Sequence, residues 1–216
     1  NIEKNKCIID LNIFSIMIDK RKFYINGTWI NPIIKNDFEV INPSNEQPYA
    51  FISLGCKEDV DLAVNVAKKA FITWSQVDKK EKISLLENLL KIYKSRWDEI
   101  TQTMSEEMGA PLDWSSSAQT SSGADHINDF ILRLKNFEFE KRFNKNSNNY
   151  IVYEPIGVCG LITPWNWPIN QITLKVIPSL ATGCTMILKP SEIAPMSGII
   201  FAEIIHEAGF PPGVFN

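Results

Sequence analysis

Tyr153-Glu154-Pro155-Ile156-Gly157-Val158 opens the stretch that decides the fold. It runs on through Leu161-Ile162-Thr163-Pro164-Trp165-Asn166-Trp167-Pro168 and Ile187-Leu188-Lys189-Pro190-Ser191-Glu192, and closes on Glu207-Ala208-Gly209-Phe210-Pro211-Pro212-Gly213-Val214-Phe215-Asn216. Val158–Ile162 is a short apolar run bounded by Gly and Pro, which predicts a buried strand. Ile169, Ile172, Thr173, Val176, Ile177 and Leu180 then recur at helical spacing, with Pro178 removing one backbone donor and bending the helix near its end. After Gly183, residues 185–188 read as a second strand. Ile200, Phe201, Ile204, Ile205 and Ala208 mark a second helix, stopped by Gly209 and Pro211-Pro212. Strand, helix, strand, helix is a βαβα unit, so its strands should be parallel and its crossover right-handed.

In open α/β sheets, ligands lie beyond the carboxyl ends of the strands. Asn166 falls just past the first strand, and Lys189 and Glu192 just past the second. The expectation is that all three face one crevice.

These motifs, in this order, resemble the NAD(P)-dependent aldehyde dehydrogenase superfamily. The likeness rests on Glu154-Pro155-Ile156-Gly157-Val158, Pro164-Trp165-Asn166-Trp167-Pro168, Leu188-Lys189-Pro190-Ser191-Glu192 and the close from Glu207 to Asn216. It extends more weakly back to about Lys22 and covers the first half of a family chain. It implies an α/β fold, a doubly wound, mostly parallel, Rossmann-like cofactor domain with an N-terminal β-hairpin region and a β oligomerisation arm. The expected division is a leader over 1–16, the first part of the cofactor domain over 17–136, the arm over 137–154 and the second part over 155–216, with the catalytic domain lying outside this chain. Met17 looks like a natural start.

Asn166 offers an uncharged N–H donor, suited to an oxygen that gains negative charge in a tetrahedral intermediate; such a donor is worth about 3 kcal/mol of barrier. By itself, an Asn ahead of a helix also reads as an N-cap. The resemblance implies that Asn166 steadies the oxyanion of a thiohemiacetal. Lys189 and Glu192, at a strand-to-helix turn, suit a clamp on ribose hydroxyls; an exposed Lys/Glu pair is the plainer alternative. Glu192 accepts from a 2′-hydroxyl and repels a 2′-phosphate, which favours NAD, while Lys189 admits NADP. The resemblance adds the backbone around Ile162, Thr163, Pro164 and Trp165 to the cofactor cleft, together with Ser191, which reads equally as a cap. It gives Lys175 a proton-relay role, against a plain helix-surface Lys. Trp167, Gln171 and Leu174 project one turn apart and line either a substrate passage or a packing face. His126 and His206 lack nearby partners in the sequence and read as ordinary helix residues. No G-x-G-x-x-G is present; the family's variant phosphate loop should follow a strand beginning at Val214.

Chemistry of this class needs a thiolate nucleophile and a carboxylate base, and the resemblance puts both in the family's second half. The four cysteines do not fill the role: Cys159 and Cys184 fall in or beside buried strands, Cys7 in the leader and Cys56 near a loop. They show no metal spacing and no disulfide framework, as for reduced thiols in a cytoplasm. With 44% apolar and 22% charged residues the composition is ordinary for a globular protein, and a net charge of −3 leaves no electrostatic footprint for nucleic acid. No apolar run reaches membrane-spanning length and no secretory signal is present. The expected partners are a small aldehyde and, through the arm, further copies in a homodimer or homotetramer. Two alternatives stand beside this reading: a non-catalytic nucleotide-binding or structural relative, and a semialdehyde or CoA-acylating dehydrogenase.

Upstream, Asn26-Gly27 between Phe23-Tyr24-Ile25 and Thr28-Trp29-Ile30 predicts a hairpin with a type I′ turn. Residues 38–41 and 50–53 form a second antiparallel pair with a longer loop. Glu58 and Asp59 precede an amphipathic helix on Val60, Ala63, Val64, Ala67, Ala70, Phe71 and Trp74. Asp78 and Glu81 form a capping box opening one long helix on Ile83, Leu86, Leu90, Tyr93, Trp97, Ile100 and Met104, ended at Gly109-Ala110-Pro111. A third helix carries Ile127, Phe130, Ile131, Leu134 and Phe137, with the serines of 115–123 on a solvated face. Residues 139–150 read as a loop or exposed ribbon.

Overall fold

The computed structural model describes residues 17–216; the expected leader and Cys7 lie outside them. The N-terminal region is built on turns the sequence dictates. β1 (Ile18–Asp19) precedes β2 (Phe23–Ile25), which folds antiparallel onto β3 (Thr28–Ile30) with Phe23 opposite Ile30. Asn26 (φ 55°) and Gly27 (φ 75°) both take the left-handed conformation that a type I′ turn demands. β4 (Asp37–Asn42) and β5 (Gln47–Ser53) pair antiparallel, and β1 adds to β5 in parallel. The β4–β5 register shifts between Val40 and Ile41, where Pro48 stands opposite Ile41; a proline cannot donate to the ladder, so the pairing slips there.

α1 (Lys57–Trp74) starts at Cys56, whose N–H donates to Asp59 Oδ2 at 2.9 Å. The expected single helix after Asp78 is two: α2 (Lys79–Ser95) and α3 (Trp97–Met108). The break falls at Arg96 (φ −103°, ψ 22°). Its guanidinium gathers Glu99 at 2.7 Å, Glu203 at 2.6 Å and Glu207 at 2.9 Å, and the change of direction lets Tyr93 and Ile100 enter one core. Capping also differs from expectation: Asp78 accepts from the Lys80 N–H at 2.7 Å, in place of a reciprocal pair with Glu81. Gly109 (φ 74°) closes α3.

α4 (Leu112–Trp114) leads into a π-turn (Ser115–Thr120) and α5 (Ser121–Asn136). The serines here are not a solvated face. Ser115 is fully buried, and of the five serines between 115 and 122 only Ser117 is exposed. Three hydroxyls return to the helix's own carbonyls, Ser117 to Asp113, Ser121 to Ser117 and Ser122 to Gln119, which cancels their polarity; Ser116 Oγ accepts from Trp97 Nε1, and the buried Ser115 hydroxyl has no partner.

β6 (Glu140–Arg142) and β7 (Tyr150–Val152) make an antiparallel ribbon whose strand residues, Ile151 apart, are exposed. β8 (Val158–Ile162), α6 (Pro168–Thr182) and β9 (Thr185–Lys189) come next as a parallel strand–helix–strand unit, then α7 (Met196–Glu207). Pro168 occupies the first helical position of α6, where a missing N–H costs nothing. Gly183 (φ 87°) closes the helix in the left-handed conformation. The segment from Val214 lies alongside β9: Met186 N–H donates to Val214 O at 2.9 Å and Leu188 N–H to Asn216 O at 2.8 Å. Thr185 Oγ1 donates to Ala67 O at 2.9 Å, fastening β9 to α1. A single large core unites Trp74, Tyr93, Ile127, Ile172, Leu180 and Phe201. The architecture is mixed α/β with small sheets.

Candidate functional site

The ladder between β8 and β9 sets the site. Ile162 stands opposite Lys189 at the carboxyl ends of both strands, and Thr163 N–H continues the ladder to Lys189 O at 3.2 Å. The two strands therefore end level, and their continuing segments emerge on one rim. From β8 come Thr163, Pro164, Trp165 and Asn166; from β9 come Pro190, Ser191 and Glu192.

Asn166 is exposed and makes no side-chain hydrogen bond among the described residues. It is not the helix cap: Trp167 is the N-cap of α6 and makes no side-chain bond. The amide next to this helix is thus uncommitted. Lys189 Nζ and Glu192 Oε2 are 2.8 Å apart, and this bond holds the Glu192 carboxyl below its ordinary range. Ser191 Oγ accepts from the Ile193 N–H at 3.3 Å, so this hydroxyl shapes the turn. Thr163 is buried at the rim, and its Oγ1 has no partner. Around these groups Ile162, Trp165 and Ile193 are left exposed, at 74%, 51% and 53%. Unpaired apolar surface beside an ion pair suits the mixed chemistry of a dinucleotide: ribose hydroxyls for the polar groups, flat rings for the apolar ones.

On α6, Trp167, Gln171 and Leu174 share one face. Gln171 Oε1 accepts from Lys175 Nζ at 3.1 Å, and Leu174 is 39% exposed. Sequence reading missed Trp114, whose ring lies 5.1 Å from that of Trp167 at 78°; no local pattern links positions so far apart. The two histidines do have partners, contrary to expectation. His126 Nε2 lies 2.8 Å from Asn170 Nδ2, and His206 Nδ1 lies 3.2 Å from the Tyr24 hydroxyl. Both partners come from other elements, which sequence spacing cannot register.

Cys56, Cys159 and Cys184 are free thiols. Burial pushes the Cys159 thiol up, as does neighbouring Cys184. The Asp59 backbone N–H favours the Cys56 thiolate, but the Asp59 carboxylate, burial and the Glu58 carboxylate together raise the thiol. Two clefts, of about 580 and 640 Å³, are lined by other residues. Among the described residues no three His, Cys, Asp or Glu side chains converge as a metal site, and no helix is long and apolar enough to cross a membrane.

The model of the aldehyde dehydrogenase family matches residues 29–216, and the chain belongs to that family. It is 48% identical over 201 residues to a 3-succinoylsemialdehyde-pyridine dehydrogenase of Pseudomonas sp, covering 93% of this chain and 42% of that protein. The structure superposes on a crystal structure of an aldehyde dehydrogenase from Bartonella henselae with TM-score 0.91 and 52% identity, over 93% of this chain and 42% of that one. A mutant of aldehyde dehydrogenase C from Pseudomonas syringae, crystallised with NAD+ and octanal, gives 0.88 and 40%, over 91% and 40%. The chain thus spans less than half the length of the relatives it matches.

Proposed function

We propose that these residues form the cofactor-binding part of an NAD-dependent enzyme that oxidises an aldehyde to a carboxylic acid. The observation that carries the reading is the level ending of β8 and β9, which puts an uncommitted Asn166 and the Lys189–Glu192 pair on one rim. In this account the strands continue a doubly wound, mostly parallel sheet. Residues 17–136 and 155–216 make the cofactor domain, and 137–154 an arm that pairs with another copy. The apolar residues on the ribbon support that last assignment: Phe143 is 64% exposed and Val152 57%.

Glu192 and Lys189 hold ribose hydroxyls. The backbone from Ile162 to Trp165, with Ser191, forms the floor. Bound NAD supplies the hydride acceptor. Asn166 donates its N–H to the aldehyde oxygen as a thiolate adds to the carbonyl carbon. Trp167, Gln171 and Leu174 line the approach, and Lys175, held by Gln171, stands where a proton can be passed. The thiolate comes from none of Cys56, Cys159 and Cys184: the Cys56 and Cys159 thiols are raised, and Cys184 is buried.

One relative favours a narrower reading of the substrate. The dehydrogenase named for a pyridine-bearing semialdehyde is 48% identical, which points to a semialdehyde carrying a ring.

Glu192→Ala should weaken NAD binding about tenfold, the worth of one charge-assisted hydrogen bond of roughly 1.5 kcal/mol, and NADP binding less. Calorimetric titration with both dinucleotides measures this. Equal losses for the two, or none, would remove Glu192 from the ribose.

A further inference from the structure

Cys159 is the second residue of β8, and the ladder sets it opposite Met186 of β9. Residues two apart along a strand share a face, so Cys184, two positions before Met186, lies on the same side of the sheet as Cys159. The Cys184 N–H donates to Ser179 O at 2.9 Å and the Thr185 N–H to Gly157 O at 3.3 Å, so the chain already runs beside β8 here. The two sulfurs lie within hydrogen-bonding reach of each other. Cys159 is half-buried and Cys184 buried, with Thr182 Oγ1 at 3.6 Å from the Cys184 sulfur.

A buried ammonium joins them. Lys82 of α2 is 6% exposed. A Cβ on Gly183 would stand 2.9 Å from its Nζ, so this group packs against the residue before Cys184. Burial pulls the lysine below its ordinary range, and the Cys184 sulfur opposes that shift. Two thiols and a cation thus converge where α6 turns into β9, at the opposite end of β9 from the rim. Diagonal neighbours on paired strands stand about 7–8 Å apart, whereas a disulfide holds its Cα atoms about 5.5–6 Å apart. Joining the sulfurs would therefore draw β9 about 2 Å toward its own carboxyl end, carrying Lys189 past its level partner Ile162.

We infer that Cys159 and Cys184 are a modification site, a redox pair that a peroxide closes into a disulfide, sliding β9 out of level with β8. The half-buried Cys159 sulfur attacks one peroxide oxygen. The O–O bond breaks, and the thiol proton leaves with the departing hydroxide as water, giving a sulfenic acid. The Cys184 sulfur then attacks the Cys159 sulfur. The S–S bond forms, the S–O bond breaks, and the second thiol proton leaves with that hydroxide as a second water. The two thiols lose two electrons and the peroxide gains them. Lys82 places a positive charge beside the second attacking sulfur, a setting that favours thiol reactivity. A bridge closed against the ladder is readily reduced again, which makes the change reversible. Its effect is felt at the rim, and that part of the inference rests on the dinucleotide reading above.

The test treats the complete enzyme with excess hydrogen peroxide, digests it without reductant and maps the peptides by mass spectrometry. The expected product is one peptide pair joined through Cys159 and Cys184, lighter than the separate peptides by two hydrogens and absent after dithiothreitol. NAD affinity, measured by calorimetry before and after peroxide, should fall about tenfold, as for the loss of one charge-assisted hydrogen bond at Glu192, and return with dithiothreitol. Cys159→Ser and Cys184→Ser should each form no bridge and keep their NAD affinity under peroxide. Recovery of both cysteines as free thiols, or of Cys159 as a sulfinic acid with no bridge, would overturn the inference. So would a bridge that leaves NAD affinity unchanged. A reduced enzyme that binds no NAD would overturn the proposed function instead, and the mapped peptides would still decide the bridge.

Discussion

Asn166→Ala should lower the turnover of the complete enzyme by about 10²- to 10³-fold, the cost of losing one preorganised oxyanion donor. NAD affinity should change by less than about twofold, because the donor acts on the aldehyde oxygen rather than on the dinucleotide. The residue is suited to the task by what it does not do. It caps no helix, since Trp167 holds that position, and it has no side-chain partner among the described residues. It is fixed between Pro164 and Pro168, two residues of restricted φ. An amide already bonded to the protein would have to break that bond as the reaction proceeds; this one does not. Turnover and NAD dissociation constants measured on the same variant check the claim. Comparable losses in both would show that Asn166 supports the rim and not the oxyanion.

Glu107 gives the second large effect, on stability. It is 1% exposed on α3 and reaches the start of α7. There it accepts from Met196 N–H at 2.6 Å and Ser197 N–H at 3.2 Å, and from the Ser197 hydroxyl. This bond set anchors the helix that comes after the Lys189–Glu192 turn. Burial pushes the carboxyl from 4.5 up to about 7, against the pull of those donors. Tyr49 of β5 feels this carboxyl: its buried hydroxyl has no partner and is pushed up by burial, then by Glu107 and Glu106.

A carboxyl raised on folding binds its proton more tightly in the folded state. Its stabilising contribution is therefore complete below pH 4.5 and is lost as the pH rises through about 7. Between pH 5.5 and 8 this one group should remove about 2 kcal/mol of stability. Denaturant unfolding at the two pH values should show that loss in the unmutated protein and not in Glu107→Gln, which keeps an acceptor for the helix N–H groups but cannot ionise. Parallel losses in the two proteins would mean that Glu107 is ionised in the fold throughout.

The sequence was most legible where chemistry is local. Asn26-Gly27 specified its turn because both positions need positive φ. Gly183 and Pro168 bounded α6, and the apolar runs of β8 and β9 specified a parallel pair; the expected burial did not follow, since β8 is half-buried to exposed throughout and only Thr185 and Met186 of β9 are buried. The level ending of those strands, and hence the shared rim, came from their lengths. The illegible features depended on distant partners. The serines of 115–122 read as solvated because serine is polar, and nothing in the stretch reveals that carbonyls take the hydroxyls of Ser117, Ser121 and Ser122 or that Trp97 reaches Ser116. The break at Arg96 is made with Glu203 and Glu207, more than a hundred residues away. His126 and His206 found Asn170 and Tyr24 across the fold. Trp114 met Trp167 through a π-turn, which leaves no periodic trace because its extra residue disrupts the period itself.

The central claim is that the carboxyl ends of β8 and β9 form the dinucleotide site. The most direct test is an NMR titration of this chain with NAD, tracking backbone amides. Thr163, Trp165, Ser191 and Glu192 are predicted to shift together along one binding curve, and Glu192→Ala to weaken that curve. Shifts confined to the charged cleft around Asp19 and Lys35, or to the β6–β7 ribbon, with the rim unmoved, would contradict it.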